Sequence, residues 1–200
     1  MSINLNSLEN LTNDEITKIN NINGLMSSQQ YKLIYKLIKF KSPCNLLIFG
    51  VGDDSYLWNN VNNNGTTIFL ENIKEWADKF KDLDIINVKY KTTVLDYPNN
   101  LNEENLLLDL PDKIIKKKWD IIIVDSPVGH YPPCKKCNMC SITNPAPGRM
   151  SSIYTASKLT HSNSIIIVDD INREIEKKSS DNFLKNFKQI YNDKKLLILN

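Results

Sequence analysis

A doubly wound, mostly parallel α/β sheet in a single domain is the fold class that this sequence predicts, and three observations predict it. Short apolar runs recur along the chain with amphipathic helical stretches between them. The "IIIV" runs at 121–124 and 165–168 are apolar at every position, which suits strands buried on both faces of a parallel sheet. The length, 200 residues, is that of one ordinary domain able to bury a continuous core.

The elements follow in order. Residues 1–43 are expected to form an N-terminal helical segment, in which "SQQYKLIYKLIKF" (28–40) places Tyr31, Ile34, Tyr35 and Ile38 on one helical face and Ser42-Pro43 closes the helix. Strands are expected at 45–49 "NLLIF", 66–70 "TTIFL", 86–94 "INVKYKTTV", 119–124 "WDIIIV" and 164–168 "SIIIV", with a last apolar run at 194–199. The polar patch "NNVNNNG" (59–65) reads as a helix end and turn. Residues 126–148 form a cysteine-bearing loop, and the whole span 1–200 reads as one domain. Helices between the strands would cover both faces of the sheet, and ligands of such sheets sit outside the carboxyl ends of the strands.

Composition excludes several classes of partner. Lys and Arg number 25 against 23 Asp and Glu, so net charge would not gather nucleic acid or an anionic membrane. The first twenty residues lack the basic and apolar regions of a signal peptide, and no apolar run approaches the ~20 residues that span a bilayer. A soluble, cytoplasmic protein is the expectation. Four cysteines in this length do not make a disulfide framework. Nearly all cationic residues are Lys, so the two arginines, Arg149 and Arg173, are candidates for places that need a planar bidentate fork, the alternative being a mutational accident at one of them.

The strand ends carry the chemistry. The first strand runs into "FGVGDDSYLW", and Glu71 ends the second strand about 20 residues on, the spacing of a carboxylate that holds ribose hydroxyls. Gly50, Gly52 and Glu71 therefore make a nucleoside-binding layout. A dinucleotide fingerprint would place a third glycine at 55, but Ser55 stands there, behind Asp53 and Asp54. Two carboxylates at that helix start would repel a pyrophosphate and tolerate a ligand bearing an amino group and a sulfonium, as S-adenosylmethionine does. The alternative is that Asp53 and Asp54 only cap the helix. Asp96, in "TTVLDYP", either reaches the adenine edge or starts the turn before Pro98. The fourth and fifth strands end alike, in "IIIVDSP" and "IIIVDDIN", which sets Asp125, Asp169, Asp170 and Asn172 on one rim. Such oxygen ligands suit Mg²⁺ or another hard cation; the alternative is that Asp169 or Asp170 caps the helix "INREIEKK".

The stretches "NLLIFGVGDDSYLW", "GTTIFLE", "YKTTVLDYP", "WDIIIVDSPVG", "PGRMSSIYTAS" and "IIIVDDINREIE" resemble, in order and spacing over most of residues 30–178, the plant glucuronoxylan 4-O-methyltransferases and the related irregular-xylem proteins of the "polysaccharide biosynthesis" domain family. The resemblance implies transfer of a methyl group from S-adenosylmethionine to a hydroxyl of a uronic acid in a glycan, with a divalent cation (Mg, Mn or Co). It also implies that Gly50, Gly52 and Glu71 lie at the cofactor and Asp125 near the transferred methyl. Plant members carry a membrane anchor and reside in the Golgi, so neither xylan nor that compartment is carried over.

Methyl transfer from a sulfonium is an in-line displacement, so the protein must align the acceptor oxygen and ease removal of its proton. The candidate catalytic residues are Asp125, His130 and Asp170. A cation on Asp125 with Asp169 or Asp170 would polarise the hydroxyl, and His130 is the candidate proton acceptor, or else a plain loop histidine. Arg149 and Arg173 are the candidate grips for a substrate carboxylate; a substrate role is favoured for Arg149, and an internal ion pair with a rim aspartate for Arg173. Cys134, Cys137 and Cys140 have C-x₂-C-x₂-C spacing, open to Zn²⁺ or another metal, to a disulfide, or to free thiols, with His130 or Cys44 as a fourth ligand. The leading function is a sugar O-methyltransferase. The alternatives are methylation of a small catechol-like acceptor, or a non-catalytic glycan-assembly or zinc-loop interaction module.

Overall fold

The computed structural model describes residues 3–97, 102–129, 131–132 and 145–200. Two helices lead into the sheet, α1 (Asn13–Asn20) and α2 (Ser28–Lys41). Each begins with a capping box, Thr12 with Glu15 and Ser27 with Gln30, which satisfies orphan N–H groups of the first turn. The predicted face of α2 is the buried one: Tyr31, Ile34, Tyr35 and Ile38 all face the core, joined by Leu37.

The sheet elements then alternate: β1 (Asn45–Phe49), α3 (Ser55–Val61), β2 (Thr66–Glu71), α4 (Lys74–Ala77), β3 (Ile85–Asn87), α5 (Glu103–Leu106), α6 (Asp112–Ile115), β4 (Ile121–Val124), α7 (Met150–Leu159), β5 (Ile165–Val168), α8 (Glu174–Phe183), β6 (Gln189–Asn192) and β7 (Leu197–Leu199). Among the described residues all strands join one sheet in the order β3-β2-β1-β4-β5-β7-β6. The pairs from β3 through β5 are parallel, and β7 runs antiparallel to both β5 and β6. The doubly wound, mostly parallel sheet expected from the sequence is therefore present.

The all-apolar runs are explained by burial on both faces. Leu46, Ile48, Ile121, Ile123, Ile165 and Ile167 enter the layer that holds α2, whereas Leu47, Phe49, Ile122, Val124, Ile166 and Val168 enter the layer that holds α7. This is the period-two alternation of a strand. Full burial of each such side chain contributes about 1.5–3 kcal/mol.

Two elements depart from the expectation. The third strand covers 85–87 rather than 86–94, because its partner β2 ends at Glu71 and offers no further ladder. Beyond it, Tyr90 and Thr92 turn to α7, where their hydroxyls meet those of Ser152 and Ser151, each at 2.8 Å. The edge strand β6 was not anticipated, since "QIYN" is half-exposed and lacks a continuous apolar signal. Among the described residues no helix is long and apolar enough to cross a membrane.

Candidate active site

A cavity of about 450 Å³ opens at the carboxyl ends of β1, β2 and β4, beside the crossing from β1 to β4 where the strand order reverses. This is the place that an open α/β sheet offers a ligand, and the volume suits a small molecule. Gly50, Gly52, Asp54, Glu71 and Asp125 all line it, so five of the sequence-predicted site residues converge.

Gly50 turns the chain out of β1 with φ +107°, in the region that favours glycine. A Cβ there would lie 2.7 Å from Ser126 Cβ, so the loops after β1 and β4 touch only because this side chain is absent. The loop is then stapled by Glu71. Its Oε1 accepts from the N–H groups of Asn72 and Ile73, each at 2.8 Å, and its Oε2 accepts from Val51 N–H at 3.1 Å. Carboxylate oxygens carry further lone pairs, and the residue lies in the cavity wall. The Trp76 indole N–H donates to Val51 O and closes the same turn.

Ser55, where a dinucleotide site would have glycine, accepts from Gly52 N–H at 2.8 Å through its hydroxyl and holds the loop against α3. Asp54 stands at the N-cap of α3 and makes no capping hydrogen bond; its side chain belongs to the cavity instead. Burial raises its carboxyl above the ordinary aspartate value, against the pull of Trp58 and Tyr31. Asp53 is exposed and does not line the cavity.

Asp125 follows β4 on the opposite wall. Its carboxyl is raised well above the ordinary range, first by burial, with Arg149 opposing and the neighbouring Asp169 and Asp54 reinforcing. About 35% of its side chain is open, toward a cavity whose walls are protein. Its loop is held by α7, where Ser152 Oγ donates to Ser126 O at 2.8 Å.

Arg149 departs from the sequence expectation of a substrate grip. It precedes α7, its side chain is 6% exposed, and its guanidinium faces inward. Nη2 lies 3.0 Å from Asp125 Oδ1 and 2.9 Å from Asp170 Oδ2; Nη1 donates to Asp169 O at 2.8 Å. A buried fork whose two terminal nitrogens are already engaged by the rim aspartates has little left to offer a ligand. Burial works against its charge, but Asp125, Asp170 and Asp169 outweigh that and raise its pKa. Arg173 does pair with a rim aspartate, Nη2 to Asp170 Oδ2 at 2.8 Å, yet it is the more open of the two arginines, 31% exposed.

Asp169 and Asp170 do not cap α8, whose N-cap is Arg173 with no side-chain capping bond. With Asp125 they bring carboxylate oxygens within 4.8 Å of one another. Asn172 is exposed. Asp96 is in the turn after Thr93, where it accepts from Thr93 N–H at 2.7 Å, and it is not in the cavity wall.

Val128 and Gly148 form a narrow neck, with Gly148 N–H donating to Val128 O at 3.1 Å. His130, Cys134, Cys137 and Cys140 lie outside the described residues. Cys44 lies at the amino end of β1, at the opposite edge of the sheet from that neck, and burial pushes its thiol up to about 12.

Sequence reasoning missed Met26, Trp58, Ile73, Trp76 and Val128 in the cavity wall. Trp58 was within reach, one helical turn after Asp54; Met26 was not, because the loop between α1 and α2 reaches the site only through the packing of α2.

The profile of the family described as IRX15/IRX15L/GXM matches residues 29–106 and 101–197. Glucuronoxylan 4-O-methyltransferase 3 of Arabidopsis thaliana is 31% identical over 189 residues, covering 82% of this chain and 60% of the relative. Glucuronoxylan 4-O-methyltransferase 1 of the same plant is 34% identical, covering 72% and 56%, and Arabinogalactan O-methyltransferase 2 is 28% identical, covering 79% and 60%. The chain thus spans 60% or less of the length of these curated relatives. Two solved structures share the fold at 15% identity each. An O-methyltransferase from Bacillus cereus in complex with SAH has a TM-score of 0.50 with 94% of this chain and 91% of that one covered. A caffeoyl-CoA O-methyltransferase-like protein from Staphylococcus aureus has a TM-score of 0.52 with 99% and 92% covered.

Proposed function

The chain belongs to the IRX15/IRX15L/GXM family and has the Rossmann-like fold of class I methyltransferases, and on that premise we propose that it transfers a methyl group from S-adenosylmethionine to a hydroxyl of a sugar, a uronic-acid-like residue of a glycan. The observation that carries this reading is the convergence of Gly50, Gly52, Glu71, Asp54 and Asp125 in one cavity at the carboxyl edge of the sheet. A Cβ at Gly50 would force apart the Gly50 and Ser126 loops that both line the cavity, and the cavity wall carries carboxylates that suit a ligand with cationic groups.

Bound there, S-adenosylmethionine supplies a methyl group on an electrophilic sulfonium. Glu71 holds the ribose hydroxyls with the lone pairs that its backbone partners leave free. Asp54 faces the amino group. Asp125 would take the proton of the acceptor hydroxyl as its oxygen gains the methyl group and the sulfonium sulfur keeps the electron pair of the broken bond. Burial, with Asp169 and Asp54 nearby, raises this carboxyl above the ordinary aspartate range, which makes its carboxylate a stronger base. Arg173, the half-open arginine at the rim, is the better placed grip for a uronate than Arg149.

A divalent cation does not fit the rim in this arrangement. Arg149 already engages the carboxylates of Asp125 and Asp170 that would ligate it.

Isothermal titration of the purified chain with S-adenosylmethionine tests the cofactor reading; saturable binding is expected, and its absence from a folded sample would remove the enzyme. An acceptor screen with and without glucuronic-acid-bearing glycans then tests the substrate. Turnover of a catechol and not of any uronate would overturn the glycan assignment.

A further inference from the structure

Three carboxylates on one rim invite a cation, and this chain brings its own. Arg149 Nη2 lies between Asp125 Oδ1 and Asp170 Oδ2 at 3.0 and 2.9 Å, and Nη1 is 3.7 Å from Asp169 Oδ2 while donating to the Asp169 carbonyl at 2.8 Å. An ion of the Mg²⁺ type needs its oxygens at about 2.0–2.1 Å. Arg149 takes one oxygen of Asp125 and one of Asp170, and its positive charge among the three carboxylates opposes entry of a dication. Charge leads to the same place: three rim carboxylates face Arg149, Arg173 at 2.8 Å from Asp170 Oδ2, and Lys195 at 4.0 Å from Asp170 Oδ1.

A second observation comes from behind the rim. Glu176, on α8, is fully buried, and neither of its carboxylate oxygens has a hydrogen-bond partner; the buried Nε of Arg149 has none either. Arg149 is the strongest cationic neighbour of Glu176. One guanidinium therefore stands among four acidic side chains, and the Asp169 Oδ1 atom beside it is also buried without a partner.

We propose that Arg149 is the resident cation of this rim, so that a divalent ion and the Arg149 guanidinium are alternatives for one place rather than partners in one site. Arg149 is then a positioning residue: it holds Asp125 at the cavity wall by charge, the work that a bound metal would do. The inference rests on the rim geometry and stands apart from the identity of the acceptor.

The test is Mn²⁺ uptake by the full chain, read from loss of the free-ion electron paramagnetic resonance signal, with neither S-adenosylmethionine nor acceptor present. Mn²⁺ is a hard probe that favours carboxylates over the cysteine thiols. The unaltered protein is expected to take up no stoichiometric Mn²⁺ at micromolar concentrations, and Arg149→Met to bind one ion per chain at least tenfold more tightly. Arg149→Lys, which keeps a charge but loses the fork, serves if the Met variant fails a near-ultraviolet circular dichroism check of folding; it is expected to bind Mn²⁺ more tightly than the unaltered protein. Tight one-to-one binding by the unaltered protein, or no gain in a folded Arg149 variant, overturns the proposal. Failure here leaves the titration with S-adenosylmethionine to decide the methyltransferase reading by itself.

Discussion

Replacing Glu71 by Gln removes one charge from the centre of the site at almost constant volume. Glu71 now satisfies three backbone N–H groups with two oxygens, two on Oε1 at 2.8 Å and one on Oε2 at 3.1 Å. Gln has one oxygen to offer. Whichever set it keeps, its NH₂ faces a backbone donor, so at least one hydrogen bond to a charged acceptor is lost, about 1.5–3 kcal/mol. The proposed ribose contact uses the same two oxygens and loses a bond of the same kind. The expected outcome is a dissociation constant for S-adenosylmethionine about 10- to 150-fold higher by isothermal titration, with an unfolding midpoint lowered by about 2–4 °C for each kcal/mol of loop stability lost. A folded Glu71→Gln protein that binds within twofold of the original would refute the ribose assignment and leave Glu71 as a loop staple alone.

Three other outcomes follow from the same geometry. Gly50→Ala adds a Cβ at φ +107°, 2.7 Å from Ser126 Cβ, and is expected to cost about 2–5 kcal/mol in urea unfolding; a loss under 1 kcal/mol would mean that the loops after β1 and β4 separate freely. Burial raises the Asp54 carboxyl, and only its ionised form attracts the ligand's amino group, so affinity for S-adenosylmethionine should weaken as pH falls through that raised value; Asp54→Asn should lower neutral-pH affinity and flatten that slope in titrations at several pH values. Glu15 is held down from 4.5 to about 2 by its hydrogen bond from Lys39 against burial. Its folded pKa thus lies below its unfolded one, and its contribution, about 0.5–1 kcal/mol for a partly open pair, is present above that unfolded value and lost as pH falls toward 2. Glu15→Gln should therefore destabilise at neutral pH and not at the acid limit, as compared by denaturant midpoints.

Much of the site was legible because its residues sit at strand ends. Gly50, Gly52, Glu71 and Asp125 each follow an apolar run, and a parallel sheet brings such ends to one edge. Of the two readings of Asp96 the structure shows the turn: the third run reads as a strand through Val94, but the ladder stops where β2 stops, so Asp96 closes a turn. The two arginines were recognised as special, and Arg173 pairs with a rim aspartate as expected, but Arg149 is the more deeply buried and pairs with rim aspartates too. Burial decides which arginine is available to a ligand, and the depth of a side chain at the start of α7 depends on how that helix packs over β4 and β5.

By itself the sequence determined the sheet, its carboxyl-edge site and the family, because buried strands, a glycine turn and a spaced carboxylate are local patterns that survive without coordinates. Only the tertiary structure decided how charge is balanced across that edge. Asp125, Asp169 and Asp170 come from two strands and Arg149 from a helix start between them, and whether such groups hold a ligand or one another depends on distances of about 3 Å that no spacing along the chain encodes.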